Sequence, residues 1–299
     1  FYIMKRELQK VVGAAELVMD ACKMKEGYLS LKENTAERLG FCEGQKLSEK
    51  LKVKVLPNVY PMGDEIVLIY ETVGKVIEPG SLPISQGVVV NNVETLYNIY
   101  NAVYGGQPVT EKWLTVGGNV DRPCVLKTLV GTPVSELLDK LGVVVPEDSV
   151  LIDGGPAMGN IINPGSAVIT KTTKSLLVLP RSIPAVRVKL ESQDISIKRS
   201  SSACCSCTRC TDMCPRHLLG YSLEPHKIIR AAAAGELDPE LYTNAQLCCA
   251  CGVCEIVACC HELSPKKVYA KIKGLMAQNR IRYSHKGAPV KPIDTRNFR

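Results

Sequence analysis

The chain has 299 residues, 45% of them hydrophobic and 22% charged, with 5% aromatic side chains and a formal net charge of +7. That length exceeds one ordinary core and predicts two or three domains, and the composition is that of a soluble globular protein rather than a disordered one. Sparse aromatics argue against a base-stacking nucleic-acid surface, and no apolar run reaches the roughly 20 residues of a membrane helix. No secretory signal opens the chain; it starts on Phe1, inside a helical pattern, and is read as a fragment shortened at its N-terminus.

Lys5 to Cys22 carries Leu8, Val11, Val12, Ala15, Val18 and Met19 at helical spacing and predicts an amphipathic helix. GYLSLKEN predicts a strand ending at Glu33–Asn34, with a helix from Thr35. VKVLPNVYP predicts a second strand entering a turn at Pro61–Gly63, and Asp64 opens the next helix. This alternation predicts an α/β domain with a mostly parallel sheet over residues 1–105, whose ligands would sit in the loops at the strand C-termini. Residues 106–185 change character: KWLTVGG, PCVLKTLVGTPV, SVLIDGGPAMG and AVITKTTKSLLVLP read as short strands with Gly/Pro turns, plus one helix at Val134–Leu141. A small β-rich, β-grasp-like domain is expected there.

Eleven of the fourteen cysteines lie between Cys204 and Cys260, in two tight knots. Such crowding opposes a disulfide scaffold and favours metal ligation. In CCSCTRCTDMCP, Cys204, Cys207, Cys210 and Cys214 give C-x2-C-x2-C-x3-C followed by Pro215, the run of bacterial ferredoxins. Two-residue spacings let three thiolates converge on three corners of a cubane, while the fourth turns away to the other cluster of a two-cluster ferredoxin. CCACGVCEIVACC repeats the spacing with Cys248, Cys251 and Cys254. Its fourth member is Cys259, because Cys260 stands where the motif usually has proline. The swap assigns Cys204, Cys207, Cys210 and Cys259 to one [4Fe–4S] cluster, and Cys248, Cys251, Cys254 and Cys214 to the other. Structural zinc also uses C-x2-C arms, but it takes four ligands per ion from two separated arms, and three cysteines within seven residues fit it less well. Cys205 and Cys249 are not counted as ligands.

Between the knots, Pro225, Ile228, Ile229, an alanine run and Gly235 describe a short helix with a proline start and a glycine stop. A second helix is expected from Pro265 to about Asn279, with Val268, Ile272 and Leu275 on one face and lysines on the other. The C-terminal stretch is basic, and such runs are mostly solvated faces. Two oxidised clusters with four thiolates each contribute about −4, leaving roughly +3, so nothing calls for a nucleic-acid partner.

YPMGDEIVLIYETVGKVIEPGSLPISQGVVVNNVETLYNIY, followed by IDGGPAMG and the two knots, resembles the RnfC family of flavo-iron–sulfur proteins over nearly the whole chain. Within it the resemblance is to the cobalamin-reductase branch of propanediol-utilisation microcompartments. The family is related to the flavin-carrying, NADH-binding subunit of respiratory complex I. The fold implied is multidomain α/β plus α+β: a Rossmann-like FMN/NADH domain over 1–105, a β-grasp SLBB (soluble-ligand-binding β-grasp) domain over 106–185, an α-helical ferredoxin domain over 186–285 with two [4Fe–4S] clusters, and a basic tail over 286–299. The family's glycine-rich flavin-phosphate loop has no counterpart before residue 63, so the first domain is expected to be partial.

By the same resemblance Gly63, Asp64 and Glu65 match a turn beside the flavin and nicotinamide. Asn91, Asn92 and Thr95 match contacts of the FMN phosphate or ribityl chain, and Glu33 and Asn34 a loop bordering the nucleotide. Helix capping is the competing role for NNVET. The activity implied is electron transfer from NADH through FMN and two clusters to cobalamin or a cobalamin-handling enzyme. The location implied is the cytoplasm, inside a microcompartment with a shell-protein partner. Three alternatives stand beside it: an RnfC-type subunit peripheral to the cytoplasmic membrane, a flavin-free electron wire, and a scaffold with structural clusters. No corrin site is identified among His217, His226, His261 and His285.

Overall fold

A computed structural model describes residues 1–235, 238–285, 287 and 289–293. Helix α1 (Tyr2–Ala21) buries Met4, Val11, Ala14 and Met19, the stripe its apolar spacing predicts, shifted by one position from Ala15 to Ala14. Strand β1 (Gly27–Lys32) pairs in parallel with β2 (Leu51–Leu56), from Gly27 opposite Leu51 to Lys32 opposite Leu56. Helix α2 (Glu33–Leu39) starts at Glu33, so the strand ends at Lys32 and Glu33–Asn34 form the first helical turn instead of the strand end. Helices α3 (Glu65–Val73) and α4 (Val93–Gly105) follow. Among the described residues this region holds two parallel strands only, smaller than the sheet its alternation predicts. Val93 packs on the core of β1, β2 and α2, and α4 lies along α1 through Val11, Ala14, Leu96 and Tyr97. Glu94 reaches Lys112 in a largely buried ion pair and accepts from the Trp113 N–H at 3.2 Å, which fastens α4 to the next sheet.

That sheet comprises β3 (Glu111–Gly118), β4 (Cys124–Leu129), β5 (Ser149–Asp153), β6 (Asn160–Ile162) and β7 (Ser175–Pro180), in the order β4-β3-β7-β5-β6. The first strand runs parallel to the last, β7, at the centre, and the other pairings are antiparallel. Helix α5 (Val134–Leu141) covers one face, placing Val134, Leu137 and Leu138 on Leu114, Val116, Leu151 and Val178. Ala167–Lys174, expected within a strand, instead forms turns with a single bridge from Val168 to Pro133.

The remaining helices are α6 (Pro184–Leu190), α7 (Gln193–Ala203), α8 (Arg209–Asp212), α9 (Pro215–Leu218), α10 (Pro225–Ala234), α11 (Pro239–Asn244) and α12 (Pro265–Gln278). Five of them begin with proline, whose missing N–H costs nothing in a first turn. On α12 the buried positions are Val268, Tyr269, Ile272 and Met276, whereas Leu275 is 51% exposed. At about 100° per residue the buried arc runs from Val268 to Tyr269, and Leu275 falls just outside its edge. None of the described helices is long and apolar enough to cross a membrane.

One core joins distant parts of the chain. Leu56, Met62, Ile66, Val67, Ile69 and Ile77 pack with Leu219, Tyr221, Leu223, Ile228, Val268, Tyr269 and Ile272. The Tyr221 hydroxyl, buried, donates to the Ile77 carbonyl at 2.6 Å. Of the basic tail, residues 286, 288 and 294–299 lie outside those described. The stretch 289–293 is not a free solvated run: Val290 packs on this core and the Ile293 N–H donates to Leu218 O at 3.0 Å. Gly220 makes room for it, with φ of +90° and no space for a Cβ beside the Lys291 carbonyl. Gly220→Ala is expected to dislodge residues 289–293 and to cost about 1–3 kcal/mol. Denaturant titration and tryptic cleavage at Arg282 would test it; wild-type resistance at that bond would count against the contact.

Candidate metal centres and flavin edge

The first knot begins where α7 ends, at Cys204. Ser206 and Thr208 take positive φ (+58° and +61°), which curls the loop so that successive cysteines turn inward. The cavity so formed is lined by Cys204, Cys205, Cys207, Cys210 and, from the second knot, Cys259, with His226, Ile229 and Leu263 on its walls. The second knot bends the same way at Ala250 (φ +55°) and Gly252 (φ +83°). Its cavity is lined by Cys248, Cys251, Cys254 and, from the first knot, Cys214, together with Cys249, Arg216 and Tyr269. Each cavity thus collects cysteines of one knot and the last motif cysteine of the other; Cys205 and Cys249, not counted as ligands, line the first and the second cavity as well. Cys260 is exposed, whereas Cys259 lines the first cavity.

The donor chemistry of both cavities fits an iron–sulfur cluster. Backbone N–H groups point at sulfur, Ala250 to Cys248 Sγ at 3.3 Å and Leu263 to Cys259 Sγ at 3.4 Å. Burial pushes the Cys210 thiol up to about 11 and the Cys214 thiol up to about 12, and holds Cys254 well above the ordinary range. Thiolates there need a neighbouring positive charge, which a metal core supplies while the protons leave. Among the described residues no three His, Cys, Asp or Glu side chains close on one single-ion site; the sulfurs stand around a space instead.

At the other edge, Glu33 and Asn34 follow β1, and Gly63, Asp64 and Glu65 follow β2, so two parallel strands deliver both turns to one sheet edge. Asn58, which sequence reasoning passed over, binds them: its Oδ1 accepts from the Asn34 N–H at 3.2 Å and its Nδ2 donates to Glu33 Oε2 at 3.4 Å. Asn91, Asn92 and Thr95 stand exposed at the start of α4, where free N–H groups suit an anion. Asn92 is also the helix cap, accepting from the Glu94 N–H at 3.0 Å. Asp64 caps α3 and is not free. Its Oδ2 pairs with Arg216 at 3.0 Å, and both side chains are only 12% exposed.

That pair joins the turn at Gly63–Glu65 to the second cavity, of which Arg216 is a wall. Beside it the Tyr60 hydroxyl donates to the Cys251 carbonyl at 2.6 Å. A third part of the chain closes the same cavity: Ala157, in the GGPAMG turn, lies against Gly252, and its carbonyl accepts from Lys266 at 2.9 Å and Lys189 at 3.1 Å. Lys266 also pairs with the buried Glu255 at 3.1 Å. Burial and the charge of Lys266 push Lys189 down to about 8. Tyr60, Arg216, Lys189 and Lys266 were invisible to sequence reasoning, because each acts across more than thirty residues of chain.

Residues 2–101 match the Nuo51 FMN-binding domain, and residues 203–264 match the 4Fe-4S dicluster domain. The two matches pair a flavin-binding type of domain with an iron–sulfur type of domain in a chain of mixed α/β build, the combination that the RnfC resemblance implies. Over 98% of its length the chain is similar to the cobalamin reductase PduS of Salmonella typhimurium, at 37% identity, and to that of Citrobacter freundii, at 34%. Over 79% of its length it is 27% identical to a component of the ion-translocating oxidoreductase complex of Rhodobacter capsulatus. The chain spans 64% of the length of each PduS relative and 43% of that Rhodobacter protein.

Proposed function

We propose that this chain is the electron-transferring part of an NADH-dependent cobalamin reductase. The observation that supports the reading is the crossed gathering of the motif cysteines into two cavities, one of which is joined through Arg216 and Asp64 to the turn at Gly63–Glu65. Cys204, Cys207, Cys210 and Cys259 would hold one [4Fe–4S] cluster, and Cys214, Cys248, Cys251 and Cys254 the other. Glu33, Asn34, Gly63, Glu65, Asn91, Asn92 and Thr95 would border FMN and nicotinamide, the exposed amides of α4 taking the phosphate or ribityl side. Asp64 would act from one side, holding Arg216 rather than a ribose. FMN, when bound, supplies the conversion of hydride from NADH into single electrons. The chain's own work is placement: N–H groups aimed at sulfur, apolar walls that exclude water, and a fixed junction between the two edges.

The layout in this reading is a flavin/NADH unit over 1–105, an SLBB β-grasp unit over 106–185, supported by the parallel first and last strands at the centre of its sheet, and a helical ferredoxin unit over 186–285. Similarity to PduS favours cobalamin as acceptor and a microcompartment, with its shell, as the setting. Similarity to the Rhodobacter protein favours a second reading, a subunit of a membrane-bound NADH:ferredoxin oxidoreductase. Anaerobic analysis of iron, sulfide and flavin, followed by NADH titration under EPR with cob(III)alamin added last, separates them. About eight irons, bound FMN and NADH-induced signals discharged by cobalamin are expected. Signals that ferredoxin discharges and cobalamin does not would favour the second reading. Irons without flavin, silent to NADH, would reduce the chain to an electron wire.

A further inference from the structure

Tyr269 is 2% exposed on the inner face of α12, and its hydroxyl oxygen has no hydrogen-bond partner among the described residues. A buried O–H left unpaired is costly, and native structures keep few of them. The side chain lines the cavity of Cys214, Cys248, Cys251 and Cys254 and does not line the first cavity. Among the described residues no wall residue of the first cavity has a buried polar atom without a partner: His226 bonds Thr211 Oγ1 through Nδ1 at 2.7 Å, Thr208 donates to Asp212 at 3.0 Å, and Ser206 accepts from Arg230 at 2.8 Å. The second cavity also carries the Arg216 guanidinium, whose Nε is buried and unpartnered while its other end holds Asp64.

We propose that the Tyr269 hydroxyl donates a hydrogen bond to sulfur of the cluster held by Cys214, Cys248, Cys251 and Cys254, making it the more easily reduced of the two. The inference rests on the cluster assignment proposed above. Reduction adds one electron to a cluster that is already anionic, so a donor aimed at its sulfur stabilises the reduced form more than the oxidised one and raises the potential. Tyr269 is thus a tuning residue, placed by α12, and not a ligand.

The test is an EPR-monitored redox titration of the anaerobically purified protein and its Tyr269→Phe variant, with iron counted in both. At a fixed solution potential the reduced-to-oxidised ratio of one cluster is expected to fall about tenfold, which for a one-electron couple is about 59 mV. The other cluster should keep its midpoint. Tyr221→Phe is the control, since that hydroxyl is bonded to Ile77 O and lies outside both cavities. Incorporating 3-fluorotyrosine at position 269 keeps the shape and strengthens the donor, and should move the same midpoint upward. This second variant decides the matter if the phenylalanine one loads iron poorly. Full iron with unmoved midpoints in either variant overturns the inference and leaves the cluster assignment standing. Wild-type protein without clusters overturns both.

Discussion

Cys214→Ala should erase the EPR signal of the cluster centred on the second knot and spare that of the first. In sequence Cys214 is the fourth cysteine of the first knot, only four residues after Cys210. In space it lines the other cavity, with Cys248, Cys251 and Cys254, while Cys210 faces Cys204, Cys207 and Cys259. The turn responsible is short: α8 ends at Asp212, and Cys214 immediately precedes the proline-started α9, whose first residues carry it away from Cys210. Burial compounds the effect, because the thiol is almost wholly enclosed and no water can stand in for a lost ligand. Iron should fall from about eight to about four per chain. The pattern across variants is the sharper test. Cys214→Ala and Cys248→Ala should lose the same signal, and Cys259→Ala should lose the one that Cys207→Ala loses. Pairing of Cys214 with Cys207 instead would show that each knot keeps its own four ligands.

The second large effect concerns stability. Arg216→Met is expected to destabilise the fold by about 3–5 kcal/mol, since it strands the Asp64 carboxylate in a site where both partners are 12% exposed. The pair in itself contributes much less than that, because its two groups also lose hydration; the cost lies in breaking one side only. Asp64→Asn with Arg216→Met should therefore recover much of the loss, and urea denaturation of the two singles and the double gives the coupling directly. Equal destabilisation by the double and by Arg216→Met would show that Arg216 acts through packing, for instance against Tyr221, whose ring centroid lies 5.7 Å from the guanidinium.

The sequence was most legible where geometry is local. The spacing within each knot is local, so the gathering of its cysteines around one cavity could be read from the sequence, and Cys259, not Cys260, lines the first cavity. Helices α5, α10 and α12 were legible because proline and glycine punctuate them. Legibility failed where the deciding partner is remote. The partner that Asp64 holds in the structure, Arg216, is 152 residues away. Leu275 and Met276 are equally apolar, and only the orientation of α12 decides which is buried. The parallel sheet stops at two strands, although the alternation of helix and strand patterns in residues 1–105 resembles that of a larger one. Apolar residues at 167–169 read as strand by their composition, yet Ile169 is buried outside any strand and Val168 is exposed.

The core shared by Leu56–Ile77 and Leu219–Met276 has a consequence for how fast charge can move. Electron tunnelling falls off steeply with separation, and a donor and acceptor on a hinged linker would sample fast and slow arrangements in turn. Here the turn at Gly63–Glu65 and the loop holding Cys248–Cys254 are set in one continuous packing of side chains, pinned by Tyr60 and Arg216. The gap between them cannot widen without exposing that packing to water. If the two edges hold a flavin and a cluster as proposed, their separation is fixed when the chain folds, and the rate across it would be a property of the sequence rather than of thermal motion.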